Sequence, residues 1–146
     1  MHAEQDTLAP GLLAAWATSV AVAILIGCVY AMTGNRQYSP ELFIVFAIAL
    51  NFGFVAAVFG LFATIAFGLP IFTFCIRRGH TTTTAFVGAG AAVSILLAAL
   101  MYAGHLFGGF LMEKDFNFGL LAIVVAGPLA GFSFWLVHRR RQSSAS

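Results

Sequence analysis

Between Leu42 and Ile76 the chain runs for thirty-five residues without one charged side chain. Ser39-Pro40-Glu41 opens the stretch, and Gly68-Leu69-Pro70 followed by Arg77-Arg78 closes it. At about 1.5 Å per residue an unbroken helix of that length spans roughly 52 Å, against roughly 30 Å of bilayer hydrocarbon. It is too short to cross twice. The stretch therefore reads as one membrane helix that tilts, or bends near Pro70, with the other spans arranged around it.

Composition places the whole chain in the same solvent. Charged residues make up 8% of it and apolar residues 61%, whereas soluble domains carry about a quarter charged residues. Water would find too little polar surface to wet. Three further apolar runs lie at about 10–32, 85–112 and 118–137, beside the central one at 42–76. Residues 1–141 thus read as a single all-α integral membrane domain, a four-transmembrane-helix bundle with short loops. Residues 142–146 read as a disordered polar tail.

Local signals mark the ends of these runs. Asp6 or Thr7 is placed to cap the first helix, with Pro10 in its first turn. Gly34-Asn35 breaks the chain, and Ser39-Pro40-Glu41 has the form of a cap, a first-turn proline and a first-turn acid. Asn117 is placed to cap the fourth span, and Arg139-Arg140-Arg141 to stop it. Glu4 and Asp6 precede the first span without any Lys or Arg, unlike a secretory leader. Leu25-Ile26-Gly27-Cys28 fits the pattern at which lipoproteins are cleaved and acylated on Cys28. The acidic N-terminus and the length of the apolar run weigh against that use.

Orientation follows from Lys and Arg. With four spans, Arg77, Arg78, Arg139, Arg140 and Arg141 fall on one side, and only Arg36 and Lys114 on the other. Both termini are expected in the cytoplasm. Trp16 and Trp135 then lie near the inner face, and Tyr30, Tyr38 and Tyr102 near the outer one. Four short-looped spans with an arginine-rich tail point to a bacterial inner membrane.

Reactive chemistry is scarce. The spans contain no Asp, Glu, Lys or Arg, which counts against a proton-coupled exporter built on a membrane carboxylate. Cys28 and Cys75 belong at opposite ends of antiparallel spans, beyond disulfide reach, and no CxxC occurs. They read as unpaired thiols packing as small hydrophobes. His80 and His138 sit beside the arginines and read as headgroup-facing. His105, with Glu41, Glu113 and Asp115, reads as outer-face polar surface. Nothing calls for a cofactor or metal. There is no phosphate loop, HExxH or GxSxG, and three arginines are too few for a nucleic-acid patch.

Two polar positions stand out: Asn51 within the second span and His105 near the end of the third. Asn51 is expected to hydrogen-bond a neighbouring helix. Pro70 and Pro128 free the carbonyls of Ala66 and Val124.

The most consistent positive signal is small residues at four-residue spacing. Ser19, Ala23, Gly27 and Ala31 form one stripe; Ala56, Gly60, Thr64 and Gly68 a second; Gly90, Ser94 and Ala98 a third. Gly104-x3-Gly108 and Gly127-x3-Gly131 are literal GxxxG. Between lipids, where apolar surface does not drive association, such stripes let backbones approach closely. The leading expectation is a small non-catalytic accessory or helix-packing protein that binds copies of itself or a membrane partner. The alternative is a small oligomeric transport or permeation protein using Asn51, His105 and the two proline carbonyls. An enzyme acting on a lipid-soluble substrate ranks third, with no constellation behind it.

Overall fold

A computed structural model describes residues 2–34, 42–108 and 113–143. It contains α1 (His2–Gly34), α2 (Leu42–Ala63), a π turn (Thr64–Gly68), α3 (Leu69–Arg77), α4 (Thr83–Gly108) and α5 (Glu113–Ser143). Among the described residues there is no strand. Four stretches are long and apolar enough to cross a membrane: Leu8–Thr33, Ile44–Arg77, Thr83–Leu106 and Asn117–Arg141. The second of them runs through α2, the π turn and α3 as one rod.

Several helix ends differ from their sequence signals. Helix α1 begins at His2, so Asp6 and Thr7 are not caps and Pro10 lies inside the helix. Helix α5 begins at Glu113, so Asn117 is a second-turn residue rather than a cap. It also continues through Arg139–Arg141 to Ser143 instead of stopping there. The reason is the same each time. Glu, Gln and Arg end an apolar stretch, yet they are good helix formers and do not end a helix. The turn signals at Asn35 and Ser39-Pro40-Glu41 lie outside the described residues, as do residues 144–146 of the expected tail. Residues 142 and 143 of that tail are helical.

The central rod is irregular where its proline demanded it. An α-helix would set the carbonyl of Ala66 against the Pro70 ring. Instead the chain widens over Thr64–Gly68, with the Leu69 N–H bonded five residues back to the Thr64 carbonyl, and Pro70 falls in the first turn of α3. Helix α3 ends in a Schellman motif. Gly79 takes φ +74°, its N–H reaches the Ile76 carbonyl at 3.0 Å, and the His80 N–H reaches the Cys75 carbonyl at 2.9 Å. Thr82 then caps α4, its hydroxyl accepting the Ala85 N–H at 3.3 Å.

Neighbouring helices run antiparallel, in the spatial order α2–α1–α5–α4. Trp16 of α1 donates its indole N–H to the Ala57 carbonyl of α2 at 2.9 Å. Thr18 of α1 donates to Ser133 of α5 at 2.8 Å, and Ser133 donates on to the Leu129 carbonyl. Tyr30 meets both Phe52 and Phe118 at the far end of α1. The four spans thus form a bundle that is a row along most of its length and closes at one end, where Ala15, Phe72, Phe86 and Phe134 share one core. The π turn and α3 bend the row back, reaching α4 at the end where the described arginines lie. The aromatic core sits there. Phe72, Phe86 and Phe134 pack with ring centroids 4.3 to 5.9 Å apart, and Phe86 and Phe134 are 0% exposed. Toward the opposite end α2 packs on α1, and among the described residues it shares no packed seam with α4.

Candidate functional site

The glycines build the closest contacts. At the α4–α5 crossing a Cβ on Gly90 would strike the Gly127 carbonyl, and one on Gly127 would strike the Gly90 carbonyl and Ser94. A Cβ on Gly131 would strike the Phe86 carbonyl. The obstacles are largely backbone, so neither helix can yield by rotating a side chain. Ser94 is buried there and satisfies its hydroxyl on the Ala91 carbonyl of its own helix. Between α1 and α2, Gly27 lies against the Ala49 backbone and Phe52, each 3.0 Å from where its Cβ would be. Gly60 faces Trp16 and Gly68 faces Leu12 at ordinary contact distance, so both belong to the inner surface of the rod without being obligatory glycines.

Gly104 departs from expectation. It is exposed, and a Cβ there would meet nothing within 4 Å, so it is not a seam residue among the described residues. The surroundings of Gly108 lie outside the described residues. Two seam glycines escaped the sequence stripes: Gly11, where a Cβ would fall 2.7 Å from the Phe134 ring, and Gly53, where one would fall 2.6 Å from Ile24. Both repeat with a small residue four positions away, Gly11 with Ala15 and Gly53 with Ala49 and Ala57. The same spacing rule would have found them.

The two singled-out polar residues are not brought together. Asn51 is exposed on α2, about 200° around the helix from Ala49 and Gly53, which face α1. Among the described residues it bonds no neighbouring helix of its own chain. His105 is half-buried in the last turn of α4, a helix with no packed seam on α2. Pro128 lies half-buried inside α5 between the two seam glycines. Cys28 and Cys75 are free and half-buried on α1 and α3. Among the described residues no three His, Cys, Asp or Glu side chains gather as metal ligands.

His138 corrects another expectation. Far from facing headgroups, it is 2% exposed, with its ring centroid 5.8 Å from Phe86 and 6.3 Å from Phe134. It lies one turn beyond Phe134 on the same face of α5, so the face that buries Phe134 buries His138 too. His80 is exposed. Beside His138 a cleft of about 370 Å³ opens between the start of α4 and the end of α5, lined by Thr81, Thr82, Thr83, Trp135, His138 and Arg139. Arg139 holds its guanidinium carbon 5.2 Å above the Trp135 ring. A second cleft, lined by Leu69, Pro70, Thr73, Phe74 and Arg77, lies beside α3.

Comparison with protein-family models, curated proteins and solved structures finds no match to the chain. The chain carries three distinctive sets of groups. These are close-packed glycine seams, a broad exposed apolar face on α2 with one amide in it, and a cleft of hydroxyls and guanidinium.

Proposed function

We propose that this is a multi-pass membrane protein that works by helix packing, as a non-catalytic subunit that associates with copies of itself. The observation that carries this reading is the position of Asn51. The exposed face of α2 presents Phe46, Leu50, Phe54, Val58 and Phe62, all suited to lipid, and sets an amide among them. Asn51 lies seven residues beyond Ile44, where the apolar span begins, or about 10 Å of helix rise. An amide facing hydrocarbon at that depth leaves its donors and acceptor without water. Because it both donates and accepts, two copies related by a twofold axis satisfy one another with a reciprocal pair.

Asn51→Leu removes that pair and improves the fit to lipid. A contact of this kind is worth about 0.6 to 2 kcal/mol in a membrane, so the dissociation constant is expected to rise about 3- to 30-fold. Energy transfer between donor- and acceptor-labelled copies in vesicles, titrated by lipid dilution, reads it directly. Wild-type protein that stays monomeric at every dilution, or a leucine variant that associates as well as wild type, would sink the proposal. The transport alternative wants Asn51, His105 and the proline carbonyls around one cavity, and neither cleft described above contains Asn51 or His105.

In this reading both termini are cytoplasmic, in a bacterial inner membrane. Five arginines at the joint end of α3, α4 and α5 against Arg36 and Lys114 on the other side support that orientation. Reporter fusions at Gly79 and Ser146 are expected to report the cytoplasm, and fusions at Arg36 and Lys114 the opposite side. A Ser146 fusion active outside the cytoplasm overturns the orientation and brings acylation at Cys28 back into consideration.

A further inference from the structure

The cleft between the start of α4 and the end of α5 belongs to no helix seam, and its lining is chemically specific. We infer that it holds the phosphate of an anionic phospholipid, and this rests on the membrane reading above. Three features of the lining carry the inference. Arg139 supplies a planar, weakly hydrated guanidinium, the group best matched to two oxygens of a phosphate. It is steadied over Trp135, which reduces the ordering needed when a ligand arrives. Thr81, Thr82 and Thr83, three hydroxyl-bearing residues, also line the cleft. One of these is partly committed, since Thr82 accepts the Ala85 N–H and lies 3.1 Å from the Thr84 hydroxyl. Of the remaining lining residues His138 is buried and Arg139 is exposed, so the guanidinium is open to an arriving headgroup.

Size and level agree with that ligand. A cleft of about 370 Å³ is large enough for a phosphate with its glycerol. Arg139 lies in the last turn of the apolar stretch Asn117–Arg141, and a lipid bound there would run its chains along the exposed apolar flank of the row. Trp135 one turn earlier is the residue type that settles at headgroup depth. Arg77, Arg78, Arg140 and Arg141 at the same end add a general attraction for anionic lipid. The cleft adds a particular place for one molecule.

Trp135 serves as the probe once Trp16 is replaced by phenylalanine. The full chain is reconstituted in vesicles, and its fluorescence is quenched by brominated phosphatidylglycerol or brominated phosphatidylcholine. Phosphatidylglycerol is expected to be preferred about fivefold, the equivalent of one interfacial arginine contact. Arg139→Gln is expected to abolish the preference, and Arg139→Lys to restore only part of it. Arg77→Gln removes the same charge from the same end at the other cleft and is expected to leave the preference intact. Inorganic phosphate, at ionic strength matched with chloride, is expected to change nothing. Equal quenching by both lipids overturns the site, and so does an equal loss in the Arg77 and Arg139 variants, which would mean diffuse charge alone. Displacement of phosphatidylglycerol by inorganic phosphate overturns the lipid as occupant. Failure of both lipids to quench is a different result, since it refutes membrane insertion itself.

Discussion

Gly131→Leu is expected to separate α4 from α5 and to cost stability at the upper end of the about 1 to 3 kcal/mol range for overpacking. The position leaves no room for accommodation. The first atom of any side chain falls on the Phe86 carbonyl, and the Val87 backbone lies close behind at 3.2 Å. Even Gly131→Ala is therefore expected to be harmful, with leucine worse. Gly104→Ala is the contrast, since it adds a methyl where nothing lies within 4 Å, and its change should stay within about 0.5 kcal/mol. Phe132→Leu, one position round from Gly131 and 40% exposed against Trp135, should also cost less than Gly131→Leu. Thermal unfolding of the purified protein in detergent compares the four. A Gly131→Leu protein as stable as wild type would reduce the Gly127-x3-Gly131 motif to background composition.

The second large effect belongs to Phe134→Ala. Phe134 stacks on Phe72 at 4.3 Å, tilts against Phe86 at 5.2 Å and lies over the bare Cα of Gly11. In water its truncation would lose both transfer energy and packing, about 3 to 5 kcal/mol. For a helix pair surrounded by lipid the transfer part shrinks, because exposed phenylalanine is then in an apolar solvent already. What remains is the cavity: about 24 cal/mol per Å³ over about 100 Å³ of lost ring gives about 2.4 kcal/mol. Leu100→Ala, 55% exposed on α4, leaves no cavity and should change little. Reversible unfolding in mixed micelles distinguishes the two. Equal losses for both variants would mean that this end of the row has no specific core.

Four apolar spans were legible because charge and hydropathy report solvent preference directly. Helix ends were less so, because the same residues that leave an apolar solvent remain content in a helix, as Asn117 and Arg139–Arg141 show. Spacing identified Gly27, Gly90, Gly127 and Gly131 as points of close approach. It could not say that Gly104 would be left uncovered, since a small-residue face is a necessary condition for a seam and not a sufficient one. Nor could it show that the spans line up as α2–α1–α5–α4, for spacing names a face and never its neighbour. The burial of His138 was hidden for a similar reason. Its three following arginines are adjacent in sequence, whereas Phe86, which shields it, is brought there by the α4–α5 crossing. The cleft at Arg139 joins two segments more than fifty residues apart and had no local signature.

The π turn before Pro70 has a consequence for the phase of the central rod. An α-helix advances its buried face every 3.6 residues, so a face set by Gly60 would drift off a fixed line within a few turns. Here Gly60, Thr64, Gly68, Phe72 and Ile76 recur every fourth residue, and the last three are buried. The wide turn absorbs the mismatch by inserting extra chain without opening the hydrogen-bonded backbone. One continuous span can then present its first half to α1 and still deliver Phe72 and Ile76 to the core shared with α4. A proline that would otherwise only weaken the helix becomes the place where its azimuth is reset.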